Sequence, residues 1–453
     1  KHQTMAAAAI EISKHDTLKV AIVLNESGKA AGECVQFGSS MSIKIGRPGS
    51  TVSKKEYGPF NEVASSAATI FDSPSLSLTS DIEESLRTGT SCSLISFGAK
   101  GQGKTTALWG SPALGPEQAI IPRACSEIFS IIDKIKNKDD QVGVGVSFIR
   151  VSSIGEMIND CLNENIEESG LNLRLREAIH PILPLEFYLE GSTRKVVNNM
   201  EELSSIALDG LDRSEYIDNN DNEYHRGNRS HKLLTITVIR KTIDGDLYNS
   251  KIHFLDTVGI DRVQSTTKNA SKPFNGKTPA QRKADMKSSN PSSNNGEDVT
   301  VKAIIRCFDS IFDRSKHIPY RDSKLTRLLK SSIEDGHTIM VGCLSTSNPS
   351  HAESDAMLQF FHKCSSLKTK KKPFVVNATT EINKRQPRIL TLASQLFNIN
   401  DTEEAMSMKP SQVECTMQSP PEMVELCDLL TEIQSLKADP LTSLLAGNPS
   451  SLP

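Results

Sequence analysis

The chain has 453 residues, with 52 lysines and arginines against 55 aspartates and glutamates, and a formal net charge of −3. This length suits one large α/β domain, or two ordinary domains, with tails. The near-neutral balance excludes a nucleic-acid or other polyanion binder that works through overall charge, so an acidic partner would need a local basic patch. No stretch approaches the roughly 18 apolar residues of a membrane span. The nine cysteines form no Cys-x-x-Cys pair, which predicts reduced thiols in a cytosolic protein and neither a zinc site nor a disulfide framework.

The first half of the chain predicts alternating strands and helices from the spacing of its apolar residues. Strands are predicted at Lys19–Leu24, Ser93–Phe97 and Val142–Val151, with a short strand-like piece at Met41–Ile45. Helices are predicted at Asp81–Leu86, Gln118–Ile135 and Glu156–Leu162. Thr79 or Ser80 is the expected N-cap of the first helix.

The second half continues this alternation, with one long interruption. Strands are predicted at Leu233–Ile239, Ile252–Leu255 and Thr338–Leu344, the first two joined by a turn at Asp244–Asp246. Helices are predicted at Val301–Phe312, Asp322–Ile333 and Ser354–Leu367. Residues 264–298 have almost no large apolar residue, which predicts a long polar loop that is functional or disordered.

After Asn377 the composition predicts a mostly irregular tail with one short amphipathic helix at 422–437. That helix spans barely two heptads, which is too short for a stable coiled coil. It either begins a dimer region or packs locally.

Residues Gly98–Thr105 read Gly-Ala-Lys-Gly-Gln-Gly-Lys-Thr and match the phosphate-loop pattern G-x-x-x-x-G-K-[ST]. Backbone N–H groups in such a loop point inward and bind anions. Lys104 would reach the β- and γ-phosphates, and Thr105 would hold Mg²⁺. A chance glycine-rich turn is the alternative, but the preceding strand favours a nucleotide. The expected nucleotide-binding residues are Gly98, Ala99, Lys100, Gly101, Gln102, Gly103, Lys104, Thr105 and Thr106.

A second signal lies at Phe254–Gly259, an apolar strand that ends in Asp-x-x-Gly. In nucleoside triphosphatases such an aspartate, here Asp256, sits near Mg²⁺, and the glycine N–H, here of Gly259, senses the γ-phosphate. Alone, this pattern is more typical of an ordinary turn. With a phosphate loop upstream, we interpret it as part of the same site.

The segment His317–Leu329 reads His-Ile-Pro-Tyr-Arg-Asp-Ser-Lys-Leu-Thr-Arg-Leu-Leu. It resembles, nearly residue for residue, the beginning of the microtubule-facing helix of kinesin motor domains. Residues 228–231 are similar to the end of that family's switch I, 256–262 to its switch II and 367–377 to its neck linker. The resemblance covers residues 18–377.

This resemblance implies a kinesin-type P-loop domain of the α/β class, with a central mixed β-sheet flanked by helices on both faces. We expect an N-terminal extension at 1–17, a motor domain at 18–367, a neck-linker-like segment at 368–377 and a tail at 378–453. The resemblance also implies ATP and Mg²⁺ as cofactors, microtubules as partner, and a cytoplasmic location on the microtubule cytoskeleton. Cargo or signalling partners would bind the tail.

The resemblance assigns roles residue by residue. Lys104, Asp256 and Gly259 are expected to act on the γ-phosphate, while Arg229 pairs with Asp261 to close a lid over it. Thr105 and Asp256 are the expected Mg²⁺ residues, Asp256 through water. The expected tubulin-facing residues are Lys283, Lys287, Lys302, Arg306, His317, Tyr320, Arg321, Lys324 and Arg327. Two alternatives stay open: the lysines of 264–298 are merely solvated, and Arg321 pairs with Asp322, which caps the helix.

The sequence also departs from the family pattern. The first strand ends in Val-Leu-Asn-Glu at 23–26, where kinesins have an Arg-x-Arg-Pro that packs on adenine. Tyr224, Gly227 and Asn228 replace an asparagine and two serines that help hold Mg²⁺ and orient water, and Asp261 is shorter than the usual glutamate. Losing one positioned polar group costs about 3 kcal/mol, a factor of roughly 100 in rate. We therefore predict retained phosphate binding, weaker base recognition and slow or vanishing ATP turnover.

Three hypotheses follow. The first is a divergent kinesin that binds microtubules and hydrolyses ATP slowly. The second is a non-motile kinesin-like scaffold with a vestigial nucleotide site. The third is an unrelated cytosolic P-loop ATPase or GTPase, which the absence of an Asn-Lys-x-Asp guanine motif and the presence of His317–Leu329 disfavour. We favour the first narrowly over the second.

Overall fold

The computed structural model describes residues 16–25, 35–38, 41–46, 54–111, 115, 118–153, 155–164, 172–178, 186–220, 230–259, 299–346, 351–369, 371–413 and 419–437. Several predicted site residues lie outside these ranges: Tyr224, Gly227, Asn228, Arg229, Asp261, Lys283 and Lys287.

The strands are numbered in chain order. They are β1 (Asp16–Thr17), β2 (Lys19–Asn25), β3 (Val35–Phe37), β4 (Ile43–Ile45), β5 (Lys55–Tyr57), β6 (Glu62–Ala64), β7 (Cys92–Phe97), β8 (Gln141–Ser152), β9 (Ile158–Asp160), β10 (Arg174–Ala178), β11 (Glu186–Glu190), β12 (Lys195–Val197), β13 (Ser230–Lys241), β14 (Asp246–Asp256), β15 (His337–Ser345), β16 (Lys368–Thr369) and β17 (Val375–Asn377).

The helices are numbered likewise. They are α1 (Ala67–Asp72), α2 (Leu78–Thr88), α3 (Lys104–Trp109), α4 (Ile120–Ile135), α5 (Met200–Asn220), α6 (Val299–Phe312), α7 (Lys324–Leu328), α8 (Lys330–Asp335), α9 (His351–Ser365), α10 (Ala378–Phe397), α11 (Thr402–Ser407) and α12 (Pro421–Lys437), with a 3₁₀ turn at Tyr320–Asp322.

A central mixed sheet organises the chain, with its main path in the order β12-β8-β13-β14-β7-β15-β2-β6. One half is antiparallel, since β8, β13 and β14 pair as meandering neighbours. The other half is parallel, and β7 lies between β14 and β15 and runs parallel to both. Parallel strands bring their carboxyl ends to one edge, which is where open α/β sheets bind ligands.

Helices cover both faces of this sheet because successive strand residues point to opposite sides. Leu94 of β7 belongs to the core that α1 to α5 complete. Its neighbour Ile95 belongs to the opposite core, with α6, α7 and α9. The α/β class with a mixed sheet and helices on both faces, expected from the resemblance, is confirmed.

Three local predictions are wrong. Glu156–Leu162 is not a helix, because Ile158–Asp160 forms β9 and pairs antiparallel with β8. Asp322–Ile333 is not one helix but a 3₁₀ turn followed by α7 and α8. The helix predicted at Asp81–Leu86 begins at Leu78, so its N-cap is Ser77, and neither Thr79 nor Ser80 caps it.

The segment after Asn377 is largely helical up to Lys437, so the prediction of a mostly irregular tail is wrong there. Asn377 caps α10 by accepting a hydrogen bond from the Thr380 N–H. α10, α11 and α12 share a third apolar core that includes Leu392, Ala405 and Leu430. The predicted helix at 422–437 is confirmed as α12, and it packs locally. Among the described helices, none combines the length and apolarity that crossing a bilayer requires.

Candidate functional site

The predicted phosphate loop follows β7 at the carboxyl edge of the parallel half-sheet and leads into α3. Gly98 has a φ of 156°, and a Cβ there would lie 2.4 Å from the Cys343 carbonyl oxygen of β15. Only glycine tolerates both the conformation and the close approach. The loop is therefore seated directly on the end of a neighbouring strand.

Lys104 is buried at the start of α3. Its Nζ donates hydrogen bonds to two carbonyl oxygens of the loop, at 3.1 Å to Gly98 and 2.9 Å to Ala99. These contacts hold the ammonium group against the loop. A fixed positive charge there suits a ligand with several phosphate oxygens.

Asp256, at the end of β14, lies beside the loop. Thr105 Oγ1 donates to Asp256 Oδ2 at 2.7 Å, and Ser96 Oγ donates to Oδ1 at 3.3 Å. Burial raises the pKa of Asp256 above its usual value, and the Thr105 hydrogen bond and the Lys104 charge oppose that rise. The structure thus brings together the two residues predicted for Mg²⁺.

This pair fits Mg²⁺ by its chemistry. A hydroxyl and a carboxylate are hard oxygen donors of the kind that Mg²⁺ prefers. A buried carboxylate whose anion is disfavoured by burial gains most from a nearby cation. When bound, the ion would neutralise phosphate charge, with Thr105 and Asp256 as the chain's contributions.

Gly259 approaches the same loop from the predicted switch II segment. A Cβ on Gly259 would lie 2.6 Å from both the Cα and the N of Lys100. Just before it, the Val258 N–H donates to His231 Nδ1 at 3.2 Å. The segment after β14 therefore contacts the loop and is tied to β13.

A partly buried ion pair, which sequence reasoning missed, lies next to the predicted end of switch I. The side chain of Arg150 is 2% exposed, and its Nε donates to Asp218 Oδ1 at 2.6 Å. Ser230 Oγ donates to the other oxygen of Asp218 at 2.8 Å. The ends of α5 and β13 are thus held together on either side of residues 221–229. An arginine within a β-branched strand gave no signal of this role.

The predicted tubulin-facing residues divide by exposure. Lys302, Arg306, His317 and Arg321 are exposed, while Lys324 and Arg327 are half-buried. Tyr320 is only 7% exposed and lies in the core under α6, so its assignment as a surface contact is wrong. Burial also raises the pKa of its hydroxyl.

The open alternative for Arg321 and Asp322 is also wrong. Asp322 pairs with Arg306 at 3.1 Å, and Arg321 pairs with Glu177 of β10 at 3.5 Å. The N-cap of α7 is Ser323, whose Oγ accepts from the Leu325 N–H. Asp322 therefore joins two basic segments of one surface.

Glu156 ties this surface together, although its sequence context predicted only a helix start. Its Oε1 accepts hydrogen bonds from the hydroxyls of Thr300, at 2.6 Å, and Ser323, and its Oε2 accepts from the Lys324 N–H at 3.1 Å. Lys324 Nζ donates back to the Glu156 carbonyl at 2.8 Å. One carboxylate thus links the turn after β8 to α6 and α7.

The predicted neck-linker-like segment lies along the sheet. β16 pairs with β1, and β17 pairs antiparallel with the start of β14. Between them, Lys371 Nζ lies 3.1 Å from Glu84 Oε2, and the Phe374 N–H donates to the Thr88 carbonyl at 2.8 Å. The segment therefore contacts α2 as well as the sheet.

Comparison with known proteins gives a consistent result. The family model of the kinesin motor domain matches residues 25–367. Kinesin-like protein KIN-7D, mitochondrial, from Arabidopsis thaliana is 26% identical over 379 residues, 80% of this chain and 32% of that protein. Kinesin-like protein unc-104 from Caenorhabditis elegans is 28% identical over 284 residues, 60% of this chain and 16% of that protein. The chain spans about a third or less of the length of these relatives.

A solved structure is similar in fold. It is described as "Structure of a fast kinesin: Implications for ATPase mechanism and interactions with microtubules". Its TM-score is 0.61 at 22% identity, and the match covers 80% of this chain and 94% of that one.

Proposed function

The chain belongs to the kinesin motor-domain family, and from that premise we propose that it is a microtubule-binding protein that binds ATP with Mg²⁺ and hydrolyses it slowly. The observation that carries the proposal is the assembly of Lys104, Thr105 and Asp256 around one loop, within 3.1 Å of their hydrogen-bond partners. Gly259 adjoins the loop, as a γ-phosphate sensor requires.

The slow rate follows from chemistry that the chain lacks. The family pattern places two serine hydroxyls in switch I, and here those positions carry Gly227 and Asn228. Arg229 and Asp261 are proposed to close over the γ-phosphate, with the shorter aspartate reducing their contact. Loss of positioned polar groups lowers turnover more than binding, because such groups act mainly on the transition state.

Microtubules are the proposed partner, on the cytoskeleton of the cytoplasm. Lys302, Arg306, His317 and Arg321 offer exposed basic groups to acidic tubulin, and Lys324 and Arg327 would support them from half-buried positions. Burial, and then the neighbouring charge of Arg306, lower the pKa of Lys302. An anionic surface would favour the charged form of Lys302. Lys283 and Lys287 are proposed to extend the same face.

The second candidate is a non-motile scaffold with a vestigial nucleotide site, recruiting cargo or signalling partners through its C-terminal part. The replaced switch I residues favour this scaffold. The close arrangement of Lys104, Thr105 and Asp256 argues against it. The two differ in one measurable property, which is whether nucleotide changes microtubule affinity.

Steady-state ATPase assays with and without microtubules, together with nucleotide-dependent co-sedimentation, test the proposal. We expect measurable turnover that is at least about 100-fold below a family member with an intact switch I. Lys104→Ala should remove nucleotide binding and every nucleotide effect on co-sedimentation, whereas Lys138→Ala, at an exposed lysine between α4 and β8, should change little. Identical nucleotide behaviour of Lys104→Ala and wild type would support the scaffold.

The proposed basic face makes a second, independent prediction. Microtubule affinity should fall steeply as salt rises from 50 to 200 mM, roughly the range over which the Debye length drops below about 10 Å. A dissociation constant that does not respond to ionic strength would contradict an electrostatic interface.

A further inference from the structure

The end of β2 reaches the phosphate loop through one side chain. Asn25 Nδ2 donates to the Gln102 carbonyl oxygen at 2.6 Å. The backbone of Asn25 is fixed in turn, because its carbonyl accepts from the Thr346 N–H at 3.1 Å. The end of β2 therefore adds a contact to the middle of the loop, beside those that the loop makes with itself.

The space around Gly103 shows how close Asn25 lies to the loop. Its φ is 85°, and a Cβ built there would lie 2.5 Å from Asn25 Nδ2. A side chain at this position would displace the asparagine. The glycine just before Lys104 is thus needed for the approach of Asn25 as well as for the turn.

Gln102 completes the arrangement from within the loop. Its side chain is 5% exposed, and Oε1 accepts from the Ala99 N–H at 3.0 Å. Asn25 and Gln102 together therefore fix the two sides of the loop relative to each other. The last turn before Lys104 then has little freedom.

The same strand end offers little to a nucleotide base. Val23 and Leu24 are buried in the two opposite cores, and the Asn25 amide nitrogen is already engaged by the loop. Among the described residues at this strand end, 23–25, the only side-chain polar groups left for hydrogen bonding to a base are Asn25 Oδ1 and the second N–H of the same amide.

We propose that Asn25 is a positioning residue for the phosphate loop, and that the pocket selects its ligand by the triphosphate chain and not by the base. This rests on the proposed function, since it concerns the same pocket. It names the ligand class as nucleoside triphosphates in general, with inorganic triphosphate as the minimal member. The residue that lies where a base contact is expected has become part of the phosphate cradle.

The test is displacement of a fluorescent nucleoside triphosphate analogue from the full chain by Mg·ATP, Mg·GTP and Mg·triphosphate. For the wild type we expect ATP and GTP affinities within a factor of about three, less than one hydrogen bond typically provides. Asn25→Leu is neutral, near-isosteric and lacks the donor. It should weaken all three competitors equally, by roughly tenfold.

Asn61→Leu is the matched control. Asn61 Oδ1 also holds β2, because it accepts from the Val20 N–H at 2.8 Å, but this contact lies away from the loop. Asn61→Leu should lower the melting temperature without changing the three affinities. Asn25→Ala repeats the test with a smaller side chain should the leucine variant misfold, and the ATP against GTP comparison needs no variant.

Each outcome has one meaning. A wild type that binds no triphosphate overturns the proposed function itself. Unchanged affinities in both Asn25 variants overturn the positioning role alone. A large preference of the wild type for ATP over GTP would refute selection by the triphosphate chain. A variant that loses ATP but keeps triphosphate would make Asn25 a base contact and refute its positioning role.

Discussion

At the scale of single residues, side chains from three different strands meet around the phosphate loop. Asp256 comes from β14, Ser96 from β7 and Asn25 from β2. These contacts, of 2.6 to 3.3 Å, are buried or partly buried, so each is sensitive to small shifts between strands. The proposed nucleotide chemistry therefore depends on the alignment of the strand ends, which positions these atoms, as well as on the sequence of the loop.

His253 provides a test of burial that is independent of nucleotide. It lies on β14 beside the site, and burial lowers its pKa from 6.5 to about 3. Its Nδ1 contacts Thr235 Oγ1 at 3.0 Å. The folded protein keeps this histidine neutral, whereas the unfolded chain binds a proton below pH 6.5. His253 therefore leaves the free energy of unfolding unchanged above pH 6.5. As the pH falls from 6.5 toward 3, it lowers that free energy by about 1.4 kcal/mol per pH unit.

The measurement is the free energy of unfolding from denaturant titrations at pH 7, 6 and 5. His253→Asn, which keeps a polar group near the Nδ1 position, should lose less stability than wild type between pH 6 and pH 5. His317→Asn, at an exposed histidine, should follow the wild-type slope. Equal slopes for wild type and His253→Asn would mean that His253 protonates readily in the folded state.

At the scale of elements, the sequence pattern predicted correctly those strands and loops whose conformation depends on neighbouring residues in the chain. The strand at 93–97 and the loop at 98–105 follow from an apolar run, three glycines and a lysine, and the structure has the strand at Cys92–Phe97 with the loop leading into α3. The failure at Glu156–Leu162 has a different origin. Its composition suits a helix, but Ile158–Asp160 gains backbone pairing with β8, and a sequence window cannot reveal that partner.

The same limit applies to the site. Lys104, Thr105 and Asp256 were predictable because they match the residue types and spacing of the phosphate-loop and Asp-x-x-Gly patterns. Asn25, Arg150 and Glu156 act on neighbouring protein groups, which are distant in sequence. Nothing in their local sequence separates them from ordinary strand and loop residues. Tyr320 was misplaced for the converse reason, since a tyrosine in a basic segment gives no sign of which way its ring points.

Glu156→Ala tests the link between the turn after β8, α6 and α7. It would leave two hydroxyls and the Lys324 N–H without their acceptor, and such losses typically cost about 1–3 kcal/mol. We expect reduced stability and, because α6 and α7 carry the proposed tubulin face, weaker co-sedimentation with microtubules. Glu156→Gln retains an acceptor oxygen and should be affected less. If Glu156→Ala binds microtubules as wild type does while losing stability, the link is structural only.

At the scale of the whole molecule, the C-terminal helices are joined to the sheet by a small apolar cluster. Val376 of β17, Ala378 of α10 and Leu436 of α12 are buried together, with Phe374 packed against them. β17 is therefore covered by the C-terminal end of α12. A segment that undocks must break both this cluster and the pairing of β17 with β14.

Leu436→Asp should separate these two contributions. Burying an unpaired carboxylate in an apolar cluster is unfavourable enough to release the end of α12, while the third core around Leu430 keeps the helices folded. Amide exchange in residues 371–378 should then quicken by about tenfold or more, because local opening no longer breaks the cluster, and exchange in β7 and β15 should not change. Val424→Asp places the same charge on the exposed side of α12 and should leave exchange in 371–378 as in wild type. If Leu436→Asp also leaves amide exchange in 371–378 unchanged, β17 is held by its pairing with β14 alone, and the C-terminal helices do not help to keep it docked.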